Sequence, residues 1–138
     1  MPYRVIAFSW KKSSMPTADF IDYYENKHIP MIIALSGPTL PYIYKRRYTH
    51  KDASAVPTSE NPSQYGLFVQ HKESTASDQP DVVVELVWEK REDSVLWMKT
   101  ANSNGGGERI WADEDVFLER ERTIAFVVEE YETRKDGE

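Results

Sequence analysis

Four stretches rich in apolar, β-branched and aromatic residues alternate with polar, glycine-rich or proline-rich stretches along the chain. They cover residues 3–10, 41–50, 81–89 and 123–131, and six of the nine residues in the third are apolar. Short runs of this composition, bounded by turn-forming residues, are typical of β-strands. The pattern therefore predicts four strands.

Between the first two strands, apolar positions recur at the spacing of a helix. Phe20, Tyr24 and His28 stand four residues apart and predict the buried face of a first helix. Pro30 has no backbone N–H to donate and disfavours helical geometry in the residue before it. We therefore expect the helix to stop or kink directly after His28, followed by a second helical turn over 31–35.

The ends of the helices are predicted from capping residues. Thr17 is the expected N-cap of the first helix, with Asp19 in the first turn, where the helix dipole favours an anion. The amphipathic stretch 91–103 predicts a second helix, and the glycine-rich stretch 104–107 is expected to end it. Asp113 is expected to cap a short helical turn that continues to residue 118.

The order of these elements predicts the fold. Strand, helix, strand, insertion, strand, helix, strand is the ferredoxin-like βαββαβ order, an α+β fold with a four-stranded antiparallel sheet and helices on one face. If Ala125 and Val127 face the helices, then Ile124, Phe126 and Val128 lie on the uncovered face. We expect a second subunit to cover that face and form a dimeric α+β barrel.

The stretch 51–80 is the part of the chain that this pattern does not explain. It is rich in Ser, Thr, Pro and Asp, with one apolar run at 65–69 that allows a short extra strand. A chain of 138 residues is one domain by size. We therefore predict a single domain, 1–138, with a flexible surface insertion at 51–80.

Composition narrows the classes of function. The net charge is −6, which disfavours nucleic acid and anionic lipid surfaces as partners. No apolar run is long enough to span a membrane, and the first residues do not resemble a signal peptide. The absence of cysteine excludes disulfides and zinc–thiolate sites. A cytoplasmic location is the default expectation.

The first helix carries a recognisable motif. The stretch 19–30 resembles the signature of the EthD-like family of dimeric α+β barrel proteins, and residues 112–117 resemble a turn before the last strand of its fungal members. The matching positions of the motif are Phe20, Tyr23, Tyr24, His28 and Pro30. The resemblance implies a small enzyme without a cofactor, similar to fungal decarboxylases and dehydratases of aromatic polyketide pathways. It also admits cyclases and isomerases.

His28 is the main catalytic candidate. An imidazole titrates near neutral pH and suits general acid or base catalysis, and it stands at a helix end where carbonyl groups lack partners. Tyr24 lies one turn earlier, and Tyr44 is expected to help it orient substrate oxygens. The alternative is that His28 is a core residue bonded to a backbone carbonyl, that Tyr24 fills the core, and that the tyrosines of the second strand, Tyr44 and Tyr48, form a dimer face.

A wider set of residues is predicted to bind the substrate. Aromatic side chains suit a planar ligand, and polar ones at strand and helix ends suit its oxygens. The predicted binding residues are Phe8, Tyr48, His50, Trp88, Trp97, Asn102 and Trp111. The alternative for each tryptophan is packing in the core or an interface, for His50 a solvated position, and for Asn102 a simple helix end.

Metal and nucleotide sites are not indicated. The three histidines stand at 28, 50 and 71, without the short helical spacing of metal ligands. The glycines at 105–107 lack the spacing and following lysine of a phosphate-binding loop.

The sequence thus favours a cofactor-independent lyase, a decarboxylase or dehydratase acting on an aromatic, polyketide-type intermediate, with His28 as general acid/base. The alternatives are a cyclase or isomerase of the same fold and a non-catalytic dimeric ligand-binding barrel.

Overall fold

The sheet contains four described strands, all antiparallel to their neighbours. The computed structural model describes residues 1–50 and 78–136. The strands are β1 (Tyr3–Ser9), β2 (Ile43–Tyr48), β3 (Val82–Trp88) and β4 (Ile124–Val128), in the spatial order β2-β3-β1-β4. The predicted ferredoxin-like α+β fold is confirmed.

The pairing register separates the two faces of the sheet. Ala7 stands opposite Val84 and Ala125, and both Ala7 and Val84 pack in the core. Because side chains alternate along a strand, the residues at odd positions of β1 and even positions of β3 face the helices. Phe126, opposite Ile6, lies on the other face together with Ile124 and Val128, as predicted.

The first helical region is continuous but irregular. Helix α1 (Thr17–Tyr23) runs into a π-helical turn (Tyr24–His28) and then into α2 (Ile29–Ser36). The Ile29 N–H bonds to the Tyr24 carbonyl five residues earlier, so the wider turn accommodates Pro30, which cannot donate. The expectation that the helix stops or kinks directly after His28 is wrong, because the helix continues through Ile29 and Pro30 and its irregularity is the π turn that ends at His28. The expected Thr17 cap is wrong, because the N-cap is Pro16 and no side chain caps the helix.

The glycine-rich segment 104–107 was expected only to end a helix, but it connects two helices directly. Helix α3 (Arg91–Asn102) agrees with the prediction, but α4 (Gly106–Phe117) begins within the glycines and is much longer than the predicted turn. Gly105 adopts a left-handed φ of 80°, and a Cβ on Gly106 would overlap the Ala101 carbonyl oxygen. The glycines therefore allow α3 and α4 to meet closely.

The core lies between the sheet and the helices. Phe20, Tyr24, Val82, Phe117 and Leu118 are all nearly or fully buried in it. The opposite face of the sheet is uncovered in the single chain. Ile124 is 51% exposed and Phe126 is 41% exposed, and Phe8 contacts Phe126 edge to face at 5.4 Å between ring centroids.

Charged residues occupy the centre of the uncovered face. The Glu85 carboxylate accepts from Arg4 and Arg47, and Arg4 also pairs with Glu130. Burial alone would raise the pKa of Glu85, but the two guanidinium groups hold it below its usual value. Glu85 is therefore a buried carboxylate paired with two guanidinium groups on this face.

Two further predictions concern the chain as a whole. The residues at 51–77 lie outside the described part, so the single domain and the insertion at 51–80, with its extra strand at 65–69, stay predictions. Of the helices in residues 1–50 and 78–136, none combines the length and apolarity needed to cross a membrane.

Candidate active site

His28 and Asp113 form a buried hydrogen-bonded pair. Nδ1 of His28 lies 2.7 Å from Oδ2 of Asp113, and Oδ1 of the same carboxylate accepts from the Tyr23 hydroxyl at 2.6 Å. His28 is 3% exposed. Because an ionised carboxylate only accepts, the neutral ring carries its proton on Nδ1 and presents Nε2 as a lone pair.

The electrostatics of this pair favour a neutral imidazole. Burial lowers the pKa of His28, and the bond to Asp113 opposes that shift without reversing it. Burial and the same carboxylate raise the pKa of Tyr23 to about 12, so its hydroxyl remains a donor. At neutral pH the site therefore holds a base, His28, supported by one carboxylate and one phenol.

Local structure explains why these side chains meet. The π turn ends at His28, and α4 crosses it with Asp113 one helical turn before the fully buried Phe117. The Phe117 ring lies 4.9 Å from the His28 ring. The Asp113 carboxylate is therefore held beside the imidazole by the packing of Phe117.

The hydroxyls of Tyr24 and Tyr44 form a second polar group near His28. The hydroxyls of Tyr24 and Tyr44 are 3.4 Å apart, and the Tyr24 ring stands edge to face with His28 at 5.3 Å. Burial raises the pKa of both tyrosines. Both side chains are therefore neutral hydrogen-bond groups, and the predicted proximity of Tyr24, Tyr44 and His28 is observed.

Tyr48 belongs to the same face of β2 but has a charged partner. Its hydroxyl donates to Glu25, which also receives two bonds of 2.7 Å from Arg46. The bonds from Arg46, and then that from Tyr48, lower the pKa of Glu25 in spite of its partial burial. This network fixes β2 against the π turn and so fixes Tyr44 beside Tyr24.

The other predicted binding residues lie elsewhere. Trp88 and Trp97 contact each other at 5.5 Å, and the Trp97 N–H donates to Ser36 Oγ at 2.7 Å. Ser36 follows His28 by eight residues, which places this pair about 12 Å along the helix axis. The tryptophan pair is therefore at the far end of α2 from His28.

Four more predicted residues lie away from His28 or on the surface. Phe8 is on the uncovered sheet face, and His50 is exposed where the first described range ends. Asn102 is exposed and bonds to the Met98 carbonyl, and Trp111 is 57% exposed on α4. The structure does not bring these four side chains to the imidazole.

Asp113 and Tyr23 are the residues that sequence reasoning missed. Asp113 was expected to cap a helix, but it stands in the interior of α4. The signal available was its position four residues before the apolar Phe117, which places both on one face of a helix. Because the glycine-rich stretch 104–107 is expected to end a helix, the sequence does not predict a helix that begins within it.

The site has no arrangement suited to a metal ion. Within residues 1–50 and 78–136, no three His, Asp or Glu side chains converge as metal ligands would. The described groups can instead accept a proton at Nε2 and donate hydrogen bonds from phenols.

A ferredoxin-like sheet with a buried histidine–carboxylate pair on its helical side defines the class of protein. Residues 12–121 match the model of the EthD domain, and this match covers most of the chain. The chain therefore belongs to the EthD domain family, as its helix motif predicted. Among curated proteins, none matches the sequence.

Three solved structures are similar to the chain in fold. An EthD-like protein of Ralstonia eutropha JMP134 has a TM-score of 0.56 and 15% identity, over 98% of this chain and 96% of that one. An ethyl tert-butyl ether D (EthD) family protein of Bacillus halodurans C-125 has a TM-score of 0.52 and 15% identity, over 95% and 100%. A hypothetical Arabidopsis thaliana protein has a TM-score of 0.53 and 6% identity, over 96% and 91%. At these identities the likeness shows the fold alone.

Proposed function

We propose that this EthD-family protein is a cofactor-independent lyase that uses His28 as a general base to remove water from an aromatic, polyketide-type intermediate. The observation that carries the proposal is the 2.7 Å bond from His28 Nδ1 to the Asp113 carboxylate in a buried setting. That bond orients the ring and leaves Nε2 as the proton acceptor. A neutral base of this kind suits chemistry that begins with loss of a proton.

The reaction follows from the groups present. Nε2 removes the proton from a carbon next to a substrate carbonyl, and the C–H electrons form an enolate with its negative charge on the carbonyl oxygen. The enolate then restores the carbonyl, and its carbon–carbon pair forms the new double bond as hydroxide leaves the next carbon. The hydroxide takes the proton from the imidazolium and departs as water, which restores neutral His28. The Tyr24 and Tyr44 hydroxyls are the donors for the negative charge that develops on the carbonyl oxygen.

Dehydration fits the site better than decarboxylation. Dehydration begins with removal of a proton by a neutral base, and burial lowers the pKa of His28 and so favours the neutral ring. The Tyr24 and Phe117 rings pack on the imidazole at 5.3 Å and 4.9 Å, so an aromatic substrate bound at Nε2 would adjoin aromatic side chains. A ring system with a β-hydroxy ketone meets both requirements.

The test uses a hydroaromatic β-hydroxy ketone in deuterated buffer, followed by mass spectrometry. Loss of water that depends on the protein is expected, and His28→Gln should reduce it about 10²- to 10⁴-fold. The control variant Lys27→Gln introduces glutamine at the neighbouring, exposed position 27. This variant should retain activity. Deuterium uptake without loss of water would indicate an isomerase or cyclase. Binding without either change would indicate a ligand-binding protein.

We also propose that the protein is a homodimer in which two uncovered sheet faces pair. The support is the combination of exposed Ile124 and Phe126 with the buried, paired Glu85 at the centre of the face. Light scattering should give twice the monomer mass, and Phe126→Lys should give monomers. A wild-type monomer at high concentration would contradict the dimer. The cytoplasmic location stays a prediction.

A further inference from the structure

A half-open cavity lies at the far end of α2 from His28. Its volume is about 520 Å³, which is within the range of small-molecule sites. We call it the Trp88 cavity and define it by the residues that the argument uses: Leu40, Tyr42, Trp88, Glu89, Asp93 and Leu96. It opens on the helical side of the sheet, so the uncovered sheet face is not part of it.

The apolar walls of the Trp88 cavity are accessible. Tyr42 is 58% exposed and Leu96 is 53% exposed, whereas Trp88 is 4% exposed and forms the base. Trp88 is held in place by Trp97, which is itself bonded to Ser36. The cavity therefore offers a rigid aromatic base and exposed apolar sides to a ligand with a flat or aliphatic body.

The polar side of the cavity is acidic. Glu89 and Asp93 line it, and none of the described lining residues is basic. Neither carboxylate has an ion pair with another residue of 1–50 or 78–136. The two carboxylates place acidic groups beside the aromatic surface of the cavity.

Two other tryptophans of the described residues each carry a guanidinium group above the ring, and at one of them carboxylates are also present. The Arg120 guanidinium lies 4.4 Å above the Trp111 ring and 3.7 Å from carboxylate oxygens of Glu114 and Asp115. The Arg122 guanidinium lies 4.3 Å above Trp10. In the described residues no guanidinium or ammonium takes the corresponding place at Trp88.

From this contrast we infer that the Trp88 cavity binds a small organic ammonium ion with an aromatic or aliphatic body. The body packs on Tyr42, Leu96 and Trp88, and the ammonium group lies between the carboxylates of Glu89 and Asp93. Aromatic rings attract cations, and the carboxylates add hydrogen-bond acceptors. This site is separate from His28 and does not depend on the reaction proposed for it.

The experiment compares three probes of nearly equal size and different charge. The probes are 2-phenylethylammonium, 2-phenylethanol and 3-phenylpropionate, titrated into the full chain while the indole N–H resonances of the tryptophans are followed by NMR. The ammonium probe should bind with a dissociation constant of the order of 1 mM and shift the Trp88 resonance. The alcohol should bind at least about fivefold more weakly, and the carboxylate more weakly still.

The variant Glu89→Gln/Asp93→Asn should weaken binding of the ammonium probe about fivefold and leave binding of the alcohol unchanged. The matched control is Glu108→Gln/Asp115→Asn, which makes the same charge change beside Trp111 and should leave the affinity unchanged. The inference is overturned if the ammonium probe fails to bind, if the alcohol binds equally well, or if both double variants weaken binding equally.

Discussion

The His28 site and the Trp88 cavity stand at opposite ends of α2 and differ in how their polar groups are satisfied. At His28 the imidazole and the Tyr23 phenol both bond to the Asp113 carboxylate, and the imidazole is almost fully buried. At the Trp88 cavity, exposed apolar walls adjoin carboxylates without a described ion-pair partner. The first arrangement is suited to holding a base in one tautomer, and the second to taking a ligand from solution.

The largest expected effect is on turnover, when a substitution removes the carboxylate partner of His28. Asp113→Asn keeps the size of the side chain but removes the charge that orients and supports the imidazole, so turnover should fall about 10²-fold. Because Asp113 raises the pKa of His28, the acidic limb of the pH–rate profile should also move to lower pH. The measurement is kcat/KM against pH.

Asp115→Asn is the matched control for that variant, since Asp115 is exposed on the same helix. It should leave both the rate and the profile near those of the wild type. An unchanged acidic limb in Asp113→Asn would show that the carboxylate does not act through His28.

The next effect concerns the base of the Trp88 cavity. Ser36→Ala leaves the N–H of the half-buried Trp97 without its acceptor, and the loss of an acceptor that is itself fully buried is expected to cost about 1–3 kcal/mol of the free energy of unfolding. Urea denaturation measures the loss. Ser94→Ala removes only a local bond to the Arg91 carbonyl and should cost less. Equal losses would mean that the bond to Trp97 adds nothing.

A smaller effect is a dependence of stability on pH. The pKa of His28 in the folded chain lies below the value of about 6.5 expected when unfolded, so protonation favours unfolding. The contribution of neutral His28 to the free energy of unfolding is fully present above about pH 6.5, and it is lost as the pH falls through the lower pKa of the folded chain. His28→Gln should therefore reduce the difference in unfolding free energy between about pH 7.5 and about pH 5. A steeper dependence in the variant would contradict the direction of the shift.

The smallest effect is an expected absence of coupling between the two regions. Glu89→Gln/Asp93→Asn should change turnover at His28 by less than about twofold, because sites that share no partners act nearly independently. The measurement is kcat and KM for the β-hydroxy ketone. A loss comparable with that of Asp113→Asn would mean that the two regions form one site.

Much of the sheet could be predicted from the sequence because its signals are local. The run Val82–Trp88 is nearly continuous in apolar residues, and the alternation in Ile124–Val128 correctly assigned which residues face away from the helices. Pro30 likewise determined where the first helix became irregular, since it lacks a donor in any conformation. These properties depend on neighbours in the chain.

Of the candidate site, only the position of His28 could be predicted, because only that position depends on neighbours in the chain. The spacing from Phe20 to His28 placed the histidine on a buried face, but Asp113 is 85 residues away in sequence. The glycines at 105–107 suggested a loop, whereas the close packing of α3 and α4 requires them. A contact between distant residues leaves no local signal.

By itself, then, the sequence determined the ferredoxin-like order, the family motif and the buried position of His28, because each follows from spacing along a few turns or strands. Tertiary structure decided the rest. The packing of Phe117 placed the Asp113 carboxylate at Nδ1, and the length of α2 separated the tryptophans from the imidazole. Side chains of suitable chemistry become a site only when the paths of distant elements bring them within bonding distance.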